Sequence, residues 1–84
     1  MLSIHYFAGI REAAGRNSEA LELPDTVTDV QGLINFLVHR YPKELSLLTE
    51  SDRVLVSVDQ TVVKRDHQLR GDEEIAFFPP MTGG

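Results

Sequence analysis

The sequence contains no cysteine. A chain without cysteine has no disulfide, no thiolate ligand for zinc or an iron–sulfur cluster, and no thiol nucleophile on a side chain. It also lacks any apolar run near the ~18 residues that a membrane-spanning helix needs. The opening stretch, residues 1–15, has no basic segment followed by an apolar core, which argues against a signal peptide. We therefore expect a cytoplasmic protein.

Basic residues are scarce. Eight lysines and arginines stand against 13 aspartates and glutamates, for a formal net charge of −5. Proteins that bind nucleic acids or anionic membranes need a basic patch to neutralise phosphates, so the composition argues against both as partners. A negative chain is compatible with a basic protein partner, although moderate charge more often only maintains solubility.

The length of 84 residues suits one domain with one hydrophobic core. With 42% hydrophobic and 25% charged residues, the composition is that of an ordinary soluble globular chain. A domain of this size buries a little more than ~60% of the surface of its unfolded chain, which is too little to enclose a deep pocket. We therefore expect any chemistry at an end of the chain or on its surface.

Short segments with alternating apolar residues or many β-branched residues predict β-strands. They are residues 2–8, 19–23, 54–58, 61–63 and 74–78. In the first segment, Leu2, Ile4, Tyr6 and Ala8 share one face, and Phe7 lies on the other. A short helical turn is expected between the first two segments, closing at Gly15.

One long amphipathic helix is predicted from Thr28 to Tyr41. Thr28 and Gln31 have the spacing of a capping box, and Asp29 lies in the first turn, where the helix dipole favours a negative charge. Pro42 is expected to close the helix. The apolar stripe has the spacing of one helix face and consists of Val30, Leu33, Ile34, Leu37, Val38 and Tyr41.

The element order, in which one long helix interrupts a series of strands, predicts an α+β fold. We interpret it as a β-grasp (ubiquitin-like) roll, in which a mixed sheet of about four to five strands packs on one long helix. The predicted domain covers residues 1–78, and residues 79–84 form an extended C-terminal tail.

Candidate sites within the predicted domain are weak. His5, His39 and His67 lie on three different predicted elements without a second ligand at metal-binding spacing, so we predict no metal site. The acidic run 72–74 is expected to be a solvated turn. No serine lies in a nucleophile-elbow motif, and no glycine-rich phosphate loop is present. We expect no active site confined to this chain.

The chain closes on the sequence Pro-Pro-Met-Thr-Gly-Gly, residues 79–84. Glycine tolerates almost any backbone angle and has no side chain, so the last two residues could enter a narrow channel of another protein. The two prolines favour an extended, stiff segment. At roughly 3.3 Å per residue, such a tail carries its carboxylate up to about 20 Å from the last strand. A frayed end without function is the alternative.

The same alternation indicates a surface for a partner. If Leu2, Ile4 and Tyr6 face the core, Phe7 faces out, and Phe78 does the same in the last strand. Val62 is expected to join them from the neighbouring hairpin. Clustered exposed apolar residues are typical of interfaces, so we predict that Phe7, Val62 and Phe78 bind a partner.

The segment Gly71–Gly84, with Phe-Phe-Pro-Pro before its final Gly-Gly, closely resembles the C-terminus of MoaD-type proteins, the sulfur-carrying small subunits of molybdopterin synthase. Residues 6–8, followed by Arg11 and Glu12, resemble the first strand and turn of that family. Asp66 and His67 fall where such chains often carry a similar pair. In length and element order the resemblance covers the whole chain.

The resemblance implies a role for the C-terminus. In that family an enzyme similar to ubiquitin-activating enzymes uses ATP to adenylate the terminal glycine, here Gly84, and a sulfur-donor protein converts the adenylate to a thiocarboxylate. The tail then enters the large catalytic subunit and donates sulfur to cyclic pyranopterin monophosphate, forming the dithiolene of molybdopterin. The resemblance also implies a 2:2 heterotetramer with the large subunit, and no bound cofactor or metal. It assigns tail insertion to Pro79, Pro80, Met81, Thr82 and Gly83.

Three other functions fit the same features. The chain could carry sulfur for thiamine or another thiolated product, with the same chemistry at Gly84 and a different acceptor. It could be a ubiquitin-like modifier joined through Gly84 to lysines of target proteins. It could also be a β-grasp interaction module whose tail is inert.

Overall fold

The computed structural model describes residues 1–50 and 54–79. Within these ranges the chain forms five strands and four helices. In chain order they are β1 (Leu2–Tyr6), α1 (Ala8–Ala14), β2 (Ser18–Leu21), α2 (Val30–Arg40), α3 (Pro42–Leu45), α4 (Leu47–Glu50), β3 (Leu55–Val58), β4 (Thr61–Val63) and β5 (Glu74–Phe78).

The five strands form one sheet in the order β2-β1-β5-β3-β4. β1 and β5 are parallel, whereas the other neighbouring pairs are antiparallel. Because β1 and β5 are parallel, the residue after β1 and the end of β5 meet at the same end of the sheet. The mixed sheet with its helices confirms the predicted α+β, β-grasp architecture.

The core lies between one face of the sheet and the helices. Leu2, Ile4 and Tyr6 in β1 and Ile75 and Phe77 in β5 are buried, as the alternation predicts. The rings of Tyr6 and Phe77 stack with their centroids 6.1 Å apart. The predicted stripe of α2 is confirmed, and its fully buried members are Val30, Leu33, Ile34 and Leu37.

The first strand is shorter than predicted. β1 ends at Tyr6, and Ala8 begins α1 with a φ of 52° and an exposed side chain, so its assignment to the core face was wrong. The chain turns here because α1 must cross from the strand toward the core, where Ile10 is buried. The predicted end at Gly15 is confirmed. Its φ is 73°, and its N–H donates to the carbonyl oxygen of Arg11 at 3.0 Å.

The predicted capping box of α2 was also wrong. The helix begins at Val30, and the cap is Asp29, whose Oδ1 accepts from the N–H of Gly32 at 2.8 Å. Gln31 donates to Oδ1 of Asn35 instead of returning to the cap. A Cβ at position 32 would lie 3.2 Å from Oδ1 of Asp29, so a larger residue there would crowd the capping carboxylate.

The polar stretch after α2 holds two short helices that the sequence pattern did not indicate. Pro42, predicted to close α2, is the first residue of α3. Leu45 and Leu48, from α3 and α4, are buried in the core. Each of these helices has four residues, which is too short to display a helical period.

The acidic run before β5 is not a fully solvated turn. Glu73 is only 5% exposed, and its carboxylate oxygens accept hydrogen bonds from three backbone N–H groups. The donors are Arg70 at 2.7 Å, Gly71 at 2.8 Å and Asp72 at 3.1 Å. Gly71 has a φ of 122°, and this turn points the donors at the carboxylate. Asp72 and Glu74 are exposed, as predicted.

Over residues 1–50 and 54–79, no helix is both long enough and apolar enough to cross a lipid bilayer.

Candidate functional site

Two aromatic residues meet where the sheet ends. Phe7 follows β1 and donates its N–H to the carbonyl oxygen of Phe77 at 3.2 Å, which continues the β1–β5 pairing. This places the Phe7 ring against that of Phe78, with centroids 4.7 Å apart and planes within 7° of each other. Phe7 is 42% exposed and Phe78 is partly buried. The pair lies on the sheet face opposite the core, here called the open face.

Strand register defines a row of side chains across the open face. His5 of β1 pairs with Ala76 of β5, Ala76 pairs with Ser57 of β3, and Ser57 pairs with Val62 of β4. Val62 is 62% exposed. His5 and Val62 are larger than the two residues between them, so a depression runs between β1 and β4.

This depression, the open-face groove, has a volume of about 450 Å³. Its lining residues are His5, Phe7, Ser57, Gln60, Val62, Glu74, Ala76 and Phe78. The three predicted partner-binding residues, Phe7, Val62 and Phe78, therefore line one groove. That they bind a partner stays a prediction.

The sequence analysis missed six residues of this surface, among them His5 and Gln60 in the lining of the groove. Leu55 is 38% exposed and pairs with Phe78, so it extends the apolar area beyond the groove. Ser57, Ala76 and Glu74 line the groove itself. The alternation in β3 and β5 could have placed them on the open face. Their grouping depends on β5 lying between β1 and β3, an order that the alternation does not encode.

The end of the groove away from the aromatic pair is polar. Nε2 of His5 lies 3.6 Å from Oε2 of Glu74, a contact that is ionic only when the imidazole is protonated. Oδ1 of Asp59 accepts from the N–H of Glu74 at 3.0 Å. Asp59 and Gln60 form the turn between β3 and β4 with φ values of 50° and 72°, the left-handed backbone of a tight hairpin.

A buried phenol and its acidic partner tie the first two strands together. The hydroxyl of Tyr6 donates to Oε2 of Glu19 at 2.9 Å, and Nη1 of Arg16 lies 3.6 Å from the same oxygen. Burial, and then the hydrogen bond to the Glu19 carboxylate, raise the pKa of Tyr6 far above its ordinary value. The phenol therefore stays protonated and acts as a structural donor.

The three histidines belong to different elements of the fold. His5 is in β1, His39 is in α2, and His67 follows β4. Within residues 1–50 and 54–79, no three His, Asp or Glu side chains come close enough together to hold a metal ion.

The C-terminal tail begins at the aromatic end of the groove. β5 ends at Phe78, and Pro79 continues from it with a partly buried side chain. Pro80, Met81, Thr82, Gly83 and Gly84 lie outside the described residues. Their assigned roles stay predictions.

Curated relatives match the chain from end to end. It is 34% identical over 84 residues to the molybdopterin synthase sulfur carrier subunit of Escherichia coli, with complete coverage of both chains. The protein of the same name from Dictyostelium discoideum is 35% identical over 80 residues, covering 93% of this chain and 90% of the relative.

Solved structures share the fold. A putative molybdopterin converting factor subunit 1 from Pyrococcus furiosus superposes with a TM-score of 0.76 at 26% identity, covering 95% of this chain and 97% of that one. SAMP1 from Haloferax volcanii superposes with a TM-score of 0.75 at 22% identity, covering 99% and 98%; at that identity the likeness concerns the fold. The ThiS family matches residues 4–84, which include the final Gly-Gly. The chain belongs to the ThiS family.

Proposed function

We propose that this protein is the sulfur-carrier small subunit of a molybdopterin synthase and that Gly84 carries the sulfur. One observation carries the proposal: the end-to-end match to relatives named molybdopterin synthase sulfur carrier subunit, at 33–35% identity. The ThiS family match supports it because it extends to residue 84 and so includes the final glycine.

The chemistry follows from the properties of a carboxylate. With a pKa of ~3.5, the α-carboxyl group is anionic at neutral pH and therefore a poor electrophile. A carboxylate oxygen of Gly84 attacks the α-phosphate of ATP in an activating enzyme, releasing pyrophosphate and forming an acyl-adenylate. Sulfur supplied at the oxidation level of sulfide by a donor protein then displaces AMP and leaves a thiocarboxylate.

The thiocarboxylate is the sulfur donor of the second stage. Its sulfur forms a bond to a carbon of cyclic pyranopterin monophosphate in the large subunit, in place of an oxygen substituent that leaves, and hydrolysis of the acyl link restores the carboxylate of Gly84. Two such transfers supply both sulfur atoms of the dithiolene. We propose that residues 79–83 enter the large subunit while Phe7, Val62 and Phe78 contact its surface, in a heterotetramer of small and large subunits.

Intact mass spectrometry tests the first stage. The purified chain is incubated with ATP, the activating enzyme and a sulfur donor from the same organism. We expect a mass gain equal to the replacement of one oxygen atom by sulfur. No gain in any activating system would contradict the proposal and favour an inert interaction module.

Deletion of Gly84 is the matched variant for this experiment. It should abolish thiolation, because the reactive carboxylate is moved by one residue. The thermal unfolding midpoint should stay that of the full chain, since Gly84 lies six residues beyond the end of β5. Thiolation that persists in the deletion variant would show that the sulfur is not carried at Gly84.

A transfer assay separates the possible acceptors. The thiolated chain is mixed with the large synthase subunit and cyclic pyranopterin monophosphate, and the loss of its sulfur is followed by mass. Transfer supports the molybdopterin role. A thiolated chain that keeps its sulfur there but loses it to a thiamine-pathway acceptor would favour the other carrier function, and adducts on protein lysines would favour a modifier.

A further inference from the structure

The floor of the open-face groove is made of two small side chains. Ala76 and Ser57 pair with each other at the centre of the cross-sheet row. Both line the groove, yet only 9% of Ala76 and 6% of Ser57 is exposed. They are shielded because His5 and Val62 stand higher on either side. The central part of the groove, above these two residues, is called the notch. Longer side chains there would produce a flat surface.

The two ends of the groove differ in chemistry. Phe7 and Phe78 form an apolar end, and Glu74 with Gln60 forms a polar end. Five residues of β5 span this distance, roughly 13 Å at about 3.3 Å per residue step. An apolar side chain of a partner would therefore find apolar contacts in the notch and at the aromatic end of the groove, but not at its polar end.

The position of the tail limits where a partner can lie. Six residues follow Phe78 up to Gly84, and six residues span at most about 20–22 Å even when fully extended. A protein that holds the carboxylate of Gly84 in its active site must therefore approach Phe78 to within that distance. The exposed apolar side chains of Phe7, Leu55 and Val62 lie on the open face beside it.

We propose that the open-face groove is a socket for one large apolar side chain of the protein that receives the Gly84 carboxylate. Binding energy in interfaces concentrates on such anchors seated in water-excluding pockets. The small size of Ala76 and Ser57 then determines specificity, because it leaves the space that the anchor fills. This inference rests on the proposed function, since it takes the large synthase subunit as the partner.

Filling the socket tests the inference. Ala76→Leu places an isobutyl group in the notch, and Ala20→Leu is the matched control. Ala20 is exposed in β2 and pairs with Ser3, so it adds the same group to the same sheet away from the groove. Binding to the large synthase subunit of the same organism is measured by isothermal titration calorimetry. We expect Ala76→Leu to weaken binding by about tenfold or more and Ala20→Leu to change it by no more than about twofold.

The outcomes separate the two levels of the argument. If the unaltered chain fails to bind the large subunit, the proposed function is contradicted and the socket falls with it. If the unaltered chain binds and Ala76→Leu binds equally well, the socket is overturned while the proposed function stands. Should Ala76→Leu lower the unfolding midpoint, Ser57→Val fills the notch from β3 with a residue suited to strands. Unchanged affinity of a folded Ser57→Val variant also overturns the socket.

Discussion

Glu73 shows how a single charged residue can belong to the fold. Its carboxylate is buried in the turn before β5, where Gly71, Arg70 and Asp72 donate backbone N–H groups to it. Burial alone would raise the pKa of Glu73, but the hydrogen bonds stabilise the anion and lower the pKa below its ordinary value. The folded state therefore holds this carboxylate more firmly in the charged form than the unfolded chain does.

A pH dependence of stability follows from that shift. A carboxyl group whose pKa is lower in the folded state contributes stability that is fully present above its unfolded pKa of ~4.3. The contribution is lost as the pH falls through the lower folded pKa. Urea unfolding between pH 7 and pH 3 should show the decline, and Glu73→Gln should remove that part of it.

At neutral pH the same variant should be less stable. Glu73→Gln replaces one acceptor oxygen by an amide donor facing backbone N–H groups, and hydrogen bonds to charged groups contribute about 1.5–3 kcal/mol. Asp72→Asn is the matched control, because it removes the same charge from an exposed residue of the same turn. Equal free energies of unfolding for the two variants would contradict a structural role for Glu73.

Among the elements, α2 depends on a cap that belongs to Asp29. Asp29→Ala removes the acceptor for the N–H of Gly32 and should destabilise the protein by about 1 kcal/mol. For a domain of this size that corresponds to a midpoint about 4–8 °C lower. Differential scanning calorimetry measures the shift.

Thr28→Ala is the control for this prediction. Thr28 is the residue that the sequence pattern indicated as the cap, and the structure gives its side chain no capping role. Its substitution should change the free energy of unfolding by no more than about 0.5 kcal/mol, as for other exposed positions. A larger loss for Thr28→Ala than for Asp29→Ala would restore the capping box and contradict the cap observed.

The existence of α2 could be predicted from sequence, whereas its first residue could not. Six apolar residues at helical spacing leave one solution for the buried face. Thr28 and Asp29 are both good caps, so local pattern does not choose between them. The choice depends on the segment after β4. Val30 donates its N–H to the carbonyl oxygen of His67 and Gln31 to that of Arg65.

For the whole molecule, the alternation predicted which residues face out but not which of them meet. Phe7 and Phe78 are far apart in the sequence and stack because β1 and β5 are parallel neighbours. The β-grasp interpretation of the element order predicted a mixed sheet. Ser57, Ala76 and Glu74 were missed because a groove arises from the strand order and from differences in side-chain size across it.

The two faces of β5 are expected to have different roles, and substitutions at two adjacent residues test this. Phe77 is fully buried in the core and Phe78 lies on the open face. Phe77→Ala should destabilise the protein by about 3–5 kcal/mol, as expected for a core phenylalanine. Phe78→Asp should destabilise the protein less, because it loses a partly buried side chain and its stack with Phe7. Such a stack contributes about 0.5–1.5 kcal/mol in addition to the buried area.

Binding of the large synthase subunit is expected to depend on Phe78 rather than on Phe77. A carboxylate at position 78 would be desolvated in an apolar contact, so Phe78→Asp should weaken binding of the large synthase subunit by about tenfold or more while the domain stays folded. Circular dichroism establishes the fold of each variant, and calorimetric titration measures the affinity. A folded Phe78→Asp variant that binds like the unaltered chain would mean that the open face is not the docking surface, because Phe78 lies between the groove and the tail that the partner must reach.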